Sequence, residues 1–376
     1  MANTGLNEGL VSGGGGIRCA LAGRCSGCGW IERSYESQRA EKLGLLRAGL
    51  REAGYAVEPL FFECGEWAAR DRVDLTLEEG RLGLFANGER SVIPMSACPM
   101  MSERLENWLK AFAADLPPQI KRGSVRLRVA PSGARGIWLD FANLDVKALL
   151  DEATWLKRLY GESAVEIGQK RKRLVMKDGS LRLADPVLEP WFETYTPQPV
   201  PLLCAIGSFT QPGFAANRVL VGRVAELAEK SGVRSWLELG AGIGNFTVAL
   251  AGRGHSVVAL EMDGLAVQAL QANTKSLGER VRVLAGDYRR PKFLEHAGDC
   301  EGLLCDPPRS GLGPFLNALS QLPRARTFIY VSCFLDSFLT DCRALKAAGY
   351  ELRAAEIVDQ FPQSPHFETV ALFVKS

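Results

Sequence analysis

The distribution of apolar and polar positions divides the 376 residues into two regimes that meet near residue 205. From Ser235 onward, short apolar runs alternate with amphipathic stretches: SWLELGAGIGNFTVALAGRG, SVVALEMDGLAVQALQANTKSLG, VRVLAGDY and GLLCDPP follow one another. Regular alternation of this kind predicts a doubly wound α/β sheet with helices on both faces. Two runs, ending in LCDPPRSGLG and TFIYVSC, stop abruptly at a polar or proline-rich turn. Parallel sheets present reactive groups at the carboxyl ends of their strands, so Asp306 and Cys333 are expected on neighbouring loops above one sheet edge. Before residue 205 the rhythm differs. Ser34 to Gly54 carries apolar residues at helical spacing and ends at glycine, which predicts an amphipathic helix with a solvated charged face and no chemistry. Residues 70–93, 124–142 and 164–183 read as short alternating strands separated by Gly and Asn turns, with a helix in MSERLENWLKAFAADL. The proline-rich stretch YTPQPVPLL reads as a crossing, and the segment from FTQPGF to Gly232 as a turn running into a helix.

Charge and cysteine usage refine this picture. The formal net charge is only +2, so nucleic-acid binding has to come from local patches. Arg70 and Arg72, Arg126 and Arg128, and QKRKR from Gln169 to Arg173 read either as solvated faces or as a surface that tracks phosphates. No apolar run has membrane-spanning length, and residues 1–16 lack the features of a signal peptide, so a flexible tail and a cytoplasmic protein are expected. Ten cysteines in such a chain point to metal binding, catalysis or packing before disulfides. Cys25 and Cys28 form a Cys-x-x-Cys turn, Cys19 precedes it, and Cys98 before Pro99 is the natural fourth ligand. Four thiolates suit structural zinc or an iron–sulfur cluster, and a single Cys-x-x-Cys favours the cluster. The expected organisation is a tail at 1–16, a four-cysteine region with its helix at 17–100, a smaller β-rich α+β domain at 70–205, and an α/β domain at 206–376.

The turn of Gly240, Gly242 and Gly244 follows a strand and opens a helix, which lets backbone approach a ligand closely. That turn alone fits dinucleotide or S-adenosylmethionine. Glu238 inside ELGAGIG, Glu261 at the end of the second strand for ribose hydroxyls, and Asp287 after the third for an adenine edge favour S-adenosylmethionine.

Taken together, DPPRSG, IYVSC and VDQFPQSPHFE make the chain from about Cys19 onward resemble the RNA uracil-C5 methyltransferases, a family with tRNA and 23S rRNA enzymes. The resemblance implies a Rossmann-like methyltransferase domain whose last strand is antiparallel. The cysteine spacing is similar to the [4Fe–4S] branch. It also implies Cys333 as nucleophile, Glu368 as the base that removes the C5 proton, Gln211 as a holder of the uracil, and Asp306 and Arg309 as shapers of the pocket. Gln211, Asn245 and Asp306 join the residues expected around S-adenosylmethionine. RNA is the implied partner, 23S rRNA before tRNA, and a monomer the implied state. The chemistry explains the residue types. C5 of uracil is a poor nucleophile until a thiolate adds to C6, and the thiolate leaves only after a base has taken the C5 proton. Two positions depart from the family pattern: Phe334 stands where Asn usually follows the nucleophile, and Gly213 where Asn is common two residues after the glutamine.

Overall fold

The computed structural model describes residues 19–141, 149, 153–290, 300–322 and 324–375; the expected tail at 1–16 lies outside them. In chain order the elements are α1 (Tyr35–Glu52), β1 (Leu60–Glu63), β2 (Arg72–Glu78), β3 (Arg81–Phe85), β4 (Val92–Pro94), α2 (Glu103–Ala114), β5 (Arg122–Val129) and β6 (Arg135–Asp140). Then come α3 (Ala153–Glu162), β7 (Ala164–Ile167), β8 (Lys172–Lys177), β9 (Ser180–Ala184), β10 (Glu189–Tyr195), β11 (Pro199–Cys204), α4 (Phe214–Ser231), β12 (Ser235–Leu239), α5 (Asn245–Gly252) and β13 (Ser256–Glu261). The chain closes with α6 (Gly264–Thr274), β14 (Val281–Ala285), β15 (Gly302–Cys305), β16 (Thr327–Ser332), α7 (Leu335–Ala347), β17 (Tyr350–Asp359) and β18 (Glu368–Lys375).

Among the described residues, two eight-stranded sheets form. One has the order β1-β17-β18-β16-β15-β12-β13-β14, with β18 antiparallel to both neighbours and the other pairings parallel. This is a Rossmann-like α/β sheet with an antiparallel last strand. Its order reverses at β12, the switch point at which such sheets open a ligand crevice. The central strands β15 and β16 are buried throughout, which is why they read as unbroken apolar runs. Helix α4 stops at Gly232, where φ of +73° gives the left-handed cap that glycine adopts without strain.

The second sheet, β4-β3-β2-β5-β6-β7-β8-β9, is an antiparallel meander broken twice, where α2 carries the chain from the edge strand β4 to β5 beside β2 and where α3 carries it from β6 to a parallel β7. Its buried face packs on α2 and α3 around Leu105, Trp108, Phe112, Trp155 and Leu156.

The structure differs from the sequence reading at two elements. Helix α1 and strand β1 belong to the Rossmann-like layer: Leu46 and Leu50 pack in its core and β1 extends its edge beside β17. The proline-rich crossing is a hairpin, with Tyr195 opposite Pro199 and Glu193 opposite Pro201. A two-stranded ribbon has free outer edges, so prolines that cannot donate a ladder hydrogen bond are tolerated there.

Candidate active site

The glycine turn after β12 has φ of +72°, +56° and +94° at Gly240, Gly242 and Gly244. Its amides are anchored from β13: Gly240 and Ala241 N–H donate to Leu260 O at 2.8 and 3.0 Å, and Gly242 N–H donates to Glu261 Oε2 at 2.8 Å. Glu261 Oε1 accepts from Met262 and Asp263 N–H at 2.7 and 2.8 Å. Glu261 therefore fixes the turn as well as standing at the expected strand end. Asn245, the first residue of α5, makes a reciprocal amide pair with Asn217 of α4 at 2.8 and 3.1 Å. Asp287 closes on Arg289, whose guanidinium holds the carboxyl below its ordinary range. Glu238 is 2 % exposed and accepts from Thr247 Oγ1 at 2.5 Å, and burial pushes its pKa up to about 8, with Asp306 and Glu261 adding to the rise. A neutral buried acid bonded to the first turn of α5 braces the loop.

Strand register assembles the second group. Cys305 pairs with Tyr330 across β15 and β16, so the next residue, Asp306, lies at the edge beside the end of β16. Ser332 pairs with Thr369 across β16 and the antiparallel β18, so Cys333, one residue on, stands level with Glu368. One hydrogen-bonded chain links this edge: Gln211 Nε2 donates to Asp306 Oδ2 at 3.2 Å, and Gln360 Nε2 donates to Gln211 Oε1 at 2.8 Å and to Glu368 Oε1 at 2.9 Å. Gln360 Oε1 and Glu368 Oε2 are buried without a partner. Burial and the Asp306 carboxylate push Glu368 far above the ordinary glutamate range, and burial raises Asp306 to about 7 against the opposing Gln211 bond. The Cys333 thiol is raised to about 11 by burial and by Glu368 and Asp306, while Arg309 pulls it down. Gln360 was missed by the sequence reading. Its signal lay in VDQFP, a polar residue just past a buried strand and before a Phe-Pro turn.

Three of the paired arginines, Arg72, Arg126 and Arg128, bond to the loop at 204–210. Arg128 is 1 % exposed and donates to Ala205 O, Ile206 O and Thr210 Oγ1 at 3.3, 3.1 and 2.6 Å. Arg72 donates to Thr210 O at 2.7 Å and Arg126 to Gly207 O at 2.6 Å, while Glu166 accepts from Ile206 and Gly207 N–H at 2.9 and 2.8 Å. These side chains of the second sheet grip the loop that delivers Gln211, because that loop lies over them and its main-chain groups need partners. The QKRKR run is likewise paired, Arg171 with Asp263, Lys172 with Asp185 and Arg173 with Glu189. The two departures from the family pattern have different causes. A Cβ at Gly213 would stand 1.9 Å from Ala69 O, so the close approach of backbone at this point requires glycine. Phe334 instead occupies the N-cap of α7, where its N–H donates to Ser332 Oγ at 3.3 Å and nothing comparable restricts the side chain.

The four cysteines meet at a separate place. Cys19, Cys25, Cys28 and Cys98 line one cavity of about 50 Å³ together with Arg70 and apolar side chains. Burial and the neighbouring thiols raise Cys28 to about 12, and Arg70 pulls it and Cys98 down. Among the described residues, no group of three or more His, Cys, Asp or Glu is close enough to hold a single metal ion.

A Rossmann-like sheet with a glycine turn at its switch point and a thiol, two carboxyls and two amides at the same edge defines a class I methyltransferase. The family model described as tRNA (Uracil-5-)-methyltransferase matches residues 204–281. The chain is 37% identical over 369 residues to an uncharacterized RNA methyltransferase of Bdellovibrio bacteriovorus, covering 95% of each. It is 28% identical to the 23S rRNA (uracil(1939)-C(5))-methyltransferase of Haemophilus influenzae, over 95% of this chain and 81% of that one. The Pyrococcus abyssi tRNA (uracil-54, C5)-methyltransferase, solved with S-adenosyl-L-homocysteine, shares the fold with a TM-score of 0.67 at 20% identity, over 93% of this chain and 86% of that one. The chain belongs to the S-adenosylmethionine-dependent RNA uracil-5-methyltransferase family. No helix among the described residues is long and apolar enough to cross a membrane.

Proposed function

We propose that this enzyme methylates C5 of a uridine in 23S rRNA through a covalent adduct on Cys333. The observation that carries the reading is the register that sets Cys333 level with Glu368, with Asp306, Gln211 and Gln360 bonded around them. The 23S rRNA substrate is supported by the curated relative that aligns along nearly the whole chain.

Gly240, Gly242, Gly244, Asn245, Glu261 and Asp287 would hold S-adenosylmethionine, with Glu238 bracing the turn and Gln211 and Asp306 at the reacting end. Its sulfonium supplies an electrophilic methyl group. The Cys333 thiol gives its proton to solvent and the thiolate adds to C6 of the uracil, which places enolate character on C5. The thiol is held high when the site is empty, and the Arg309 charge beside it favours the thiolate. Glu368, held protonated in the empty site, first releases that proton to solvent; once C5 has taken the methyl group, the C5 proton passes to the carboxylate so formed and the C6–S bond breaks, returning the thiolate. Gln360 and Gln211 orient the two carboxyls through this sequence. The target base must leave its stack to reach the edge, and Phe209, 70 % exposed with the Arg72 guanidinium 5.4 Å from its ring, stands ready to replace a stacking partner.

Cys19, Cys25, Cys28 and Cys98 would hold a [4Fe–4S] cluster. A mononuclear zinc site draws four sulfurs to about 2.3 Å from one centre. The four thiols line one cavity, and a single Cys-x-x-Cys favours the cluster over such a zinc site. Arg70 beside them offsets the negative charge of a thiolate-bound cluster.

The test is covalent trapping with 5-fluorouridine-substituted RNA in the presence of S-adenosylmethionine. Fluorine cannot leave as a proton, so the adduct should persist on a denaturing gel, require Cys333, and vanish in Cys333→Ala. Absence of any adduct with folded, cluster-loaded protein would overturn the catalytic reading and leave an RNA-binding protein.

A further inference from the structure

Helix α1, whose charged face the sequence presents as solvated, sends two polar side chains into the protein. Gln38 is 0 % exposed and Gln363, in the loop between β17 and β18, is 2 % exposed. They bind each other twice: Gln363 N–H donates to Gln38 Oε1 at 2.8 Å, and Gln38 Nε2 donates to Gln363 Oε1 at 2.8 Å. Gln38 Nε2 also reaches Arg33 O at 3.1 Å, and Trp30 N–H donates to Gln363 O at 2.9 Å. One turn along α1, Lys42 donates to Asp359 Oδ1 at 2.6 Å and to Phe361 O at 3.1 Å, with both charged side chains fully buried. These contacts bracket the loop on both sides of Gln360. They also hold Gln363 at φ of +65°, a left-handed conformation that a residue other than glycine keeps only when its surroundings impose it.

We propose that Gln38, with Lys42 beside it, is a positioning residue for the proton-removing step. The chain of effect runs from Gln38 through Gln363 to the backbone of the loop, then to Gln360, whose amide orients Glu368. This chain makes no bond to Cys333 or to the glycine turn; its one link toward the rest of the site is the Gln360 bond to Gln211. Loss of Gln38 therefore slows removal of the C5 proton and the C6–S cleavage that follows it, and leaves thiolate addition and methyl transfer in place. This rests on the reading of Glu368 as the base.

The experiment follows a single turnover on unsubstituted RNA from cells lacking the enzyme, with S-adenosylmethionine present, and scores covalent protein–RNA adduct over time on denaturing gels. In Gln38→Ala the adduct should accumulate and decay about 10- to 100-fold more slowly than in wild type, the scale on which a misplacement of about 1 Å acts. Affinity for S-adenosylhomocysteine should stay unchanged. Gln363→Ala removes the side-chain half of the clasp, keeps its main-chain half, and should show a smaller delay in the same direction; it carries the test if Gln38→Ala does not fold. Glu368→Gln runs in parallel. Accumulation in Glu368→Gln with normal decay in both clasp variants would overturn the positioning role alone, whereas no accumulation in Glu368→Gln would overturn the base assignment and the inference with it. Equal loss of formation and decay in the clasp variants would mark a general structural role and also overturn it.

Discussion

Two buried polar clusters, one on each eight-stranded sheet, differ in how their atoms are satisfied. In the meander Arg128 and Glu166 are buried, and their polar atoms meet main-chain groups of the loop at 204–210. At the edge of the Rossmann-like sheet Glu368 and Gln360 are equally buried, yet each leaves one oxygen without a partner. A satisfied buried charge stabilises one geometry, whereas an unsatisfied one stays high in free energy until a ligand or a proton arrives. The meander thus builds a frame, and the Rossmann-like sheet keeps reactive groups poised within it. Gln211 sits where the two meet, gripped at its backbone by one sheet and bonded at its side chain to the other.

The sharpest way to break this comparison is to alter one group on each side. Glu368→Gln keeps the shape of the reactive edge and removes its base, so turnover should fall by about 10²- to 10⁴-fold while thermal stability holds or rises. A large loss of stability would place Glu368 with the framing charges. Arg128→Met should do the reverse. It strips the loop carbonyls of a charged donor, and each such bond is worth about 1.5–3 kcal/mol, so the unfolding free energy from chemical denaturation should fall by at least that much. Activity that survives this change in protein still folded should show a raised KM, because the Gln211 loop is loosened while Cys333 and Glu368 are untouched.

How much of this division could be read from the sequence depends on whether the signal was local. The Rossmann-like order was legible because buried parallel strands write continuous apolar runs, and DPPRSG, IYVSC and VDQFPQSPHFE sit at the ends of three of them. The meander showed itself as period-two alternation. The roles of Arg72, Arg126, Arg128, Lys42 and Gln38 were not legible. Each lies in a stretch that reads as a charged face, and each is buried by a segment far away in the chain: Lys42 meets Asp359 across 317 positions and Arg128 meets Thr210 across 82. Helical and strand periodicity report which face a residue is on and not what will cover that face. The requirement for glycine at 213 was hidden for the same reason, since Ala69 O supplies it.

Asp306→Asn tests the energetics of the reactive edge directly. Asp306 rises from an ordinary carboxylate to about 7 on folding. A group whose folded pKa is raised favours the folded state while it is protonated in both states, and that contribution is lost as pH climbs through the folded value. The wild type should therefore lose stability relative to Asp306→Asn as pH rises from about 4 to about 7. Melting curves of the two proteins should converge near pH 4 and separate above pH 7, with the variant the more stable. Curves that stay parallel would mean that Asp306 is satisfied, and would move it to the framing side of the comparison.

The smallest effect expected is at Phe334. Unlike Gly213, it is not confined by a close backbone approach, and it caps α7 through main-chain bonds that a new side chain leaves in place. Asn is also among the preferred N-cap residues, so Phe334→Asn should change stability by no more than about 1 kcal/mol. Its effect should appear in catalysis, because the residue follows the nucleophile and an amide there adds a donor and an acceptor at the reactive edge. Faster adduct formation in Phe334→Asn, with unchanged decay, would show that this edge is tuned by the residue beside the thiol. No change in either rate would confine the poised chemistry to Cys333, Asp306, Gln211, Gln360 and Glu368.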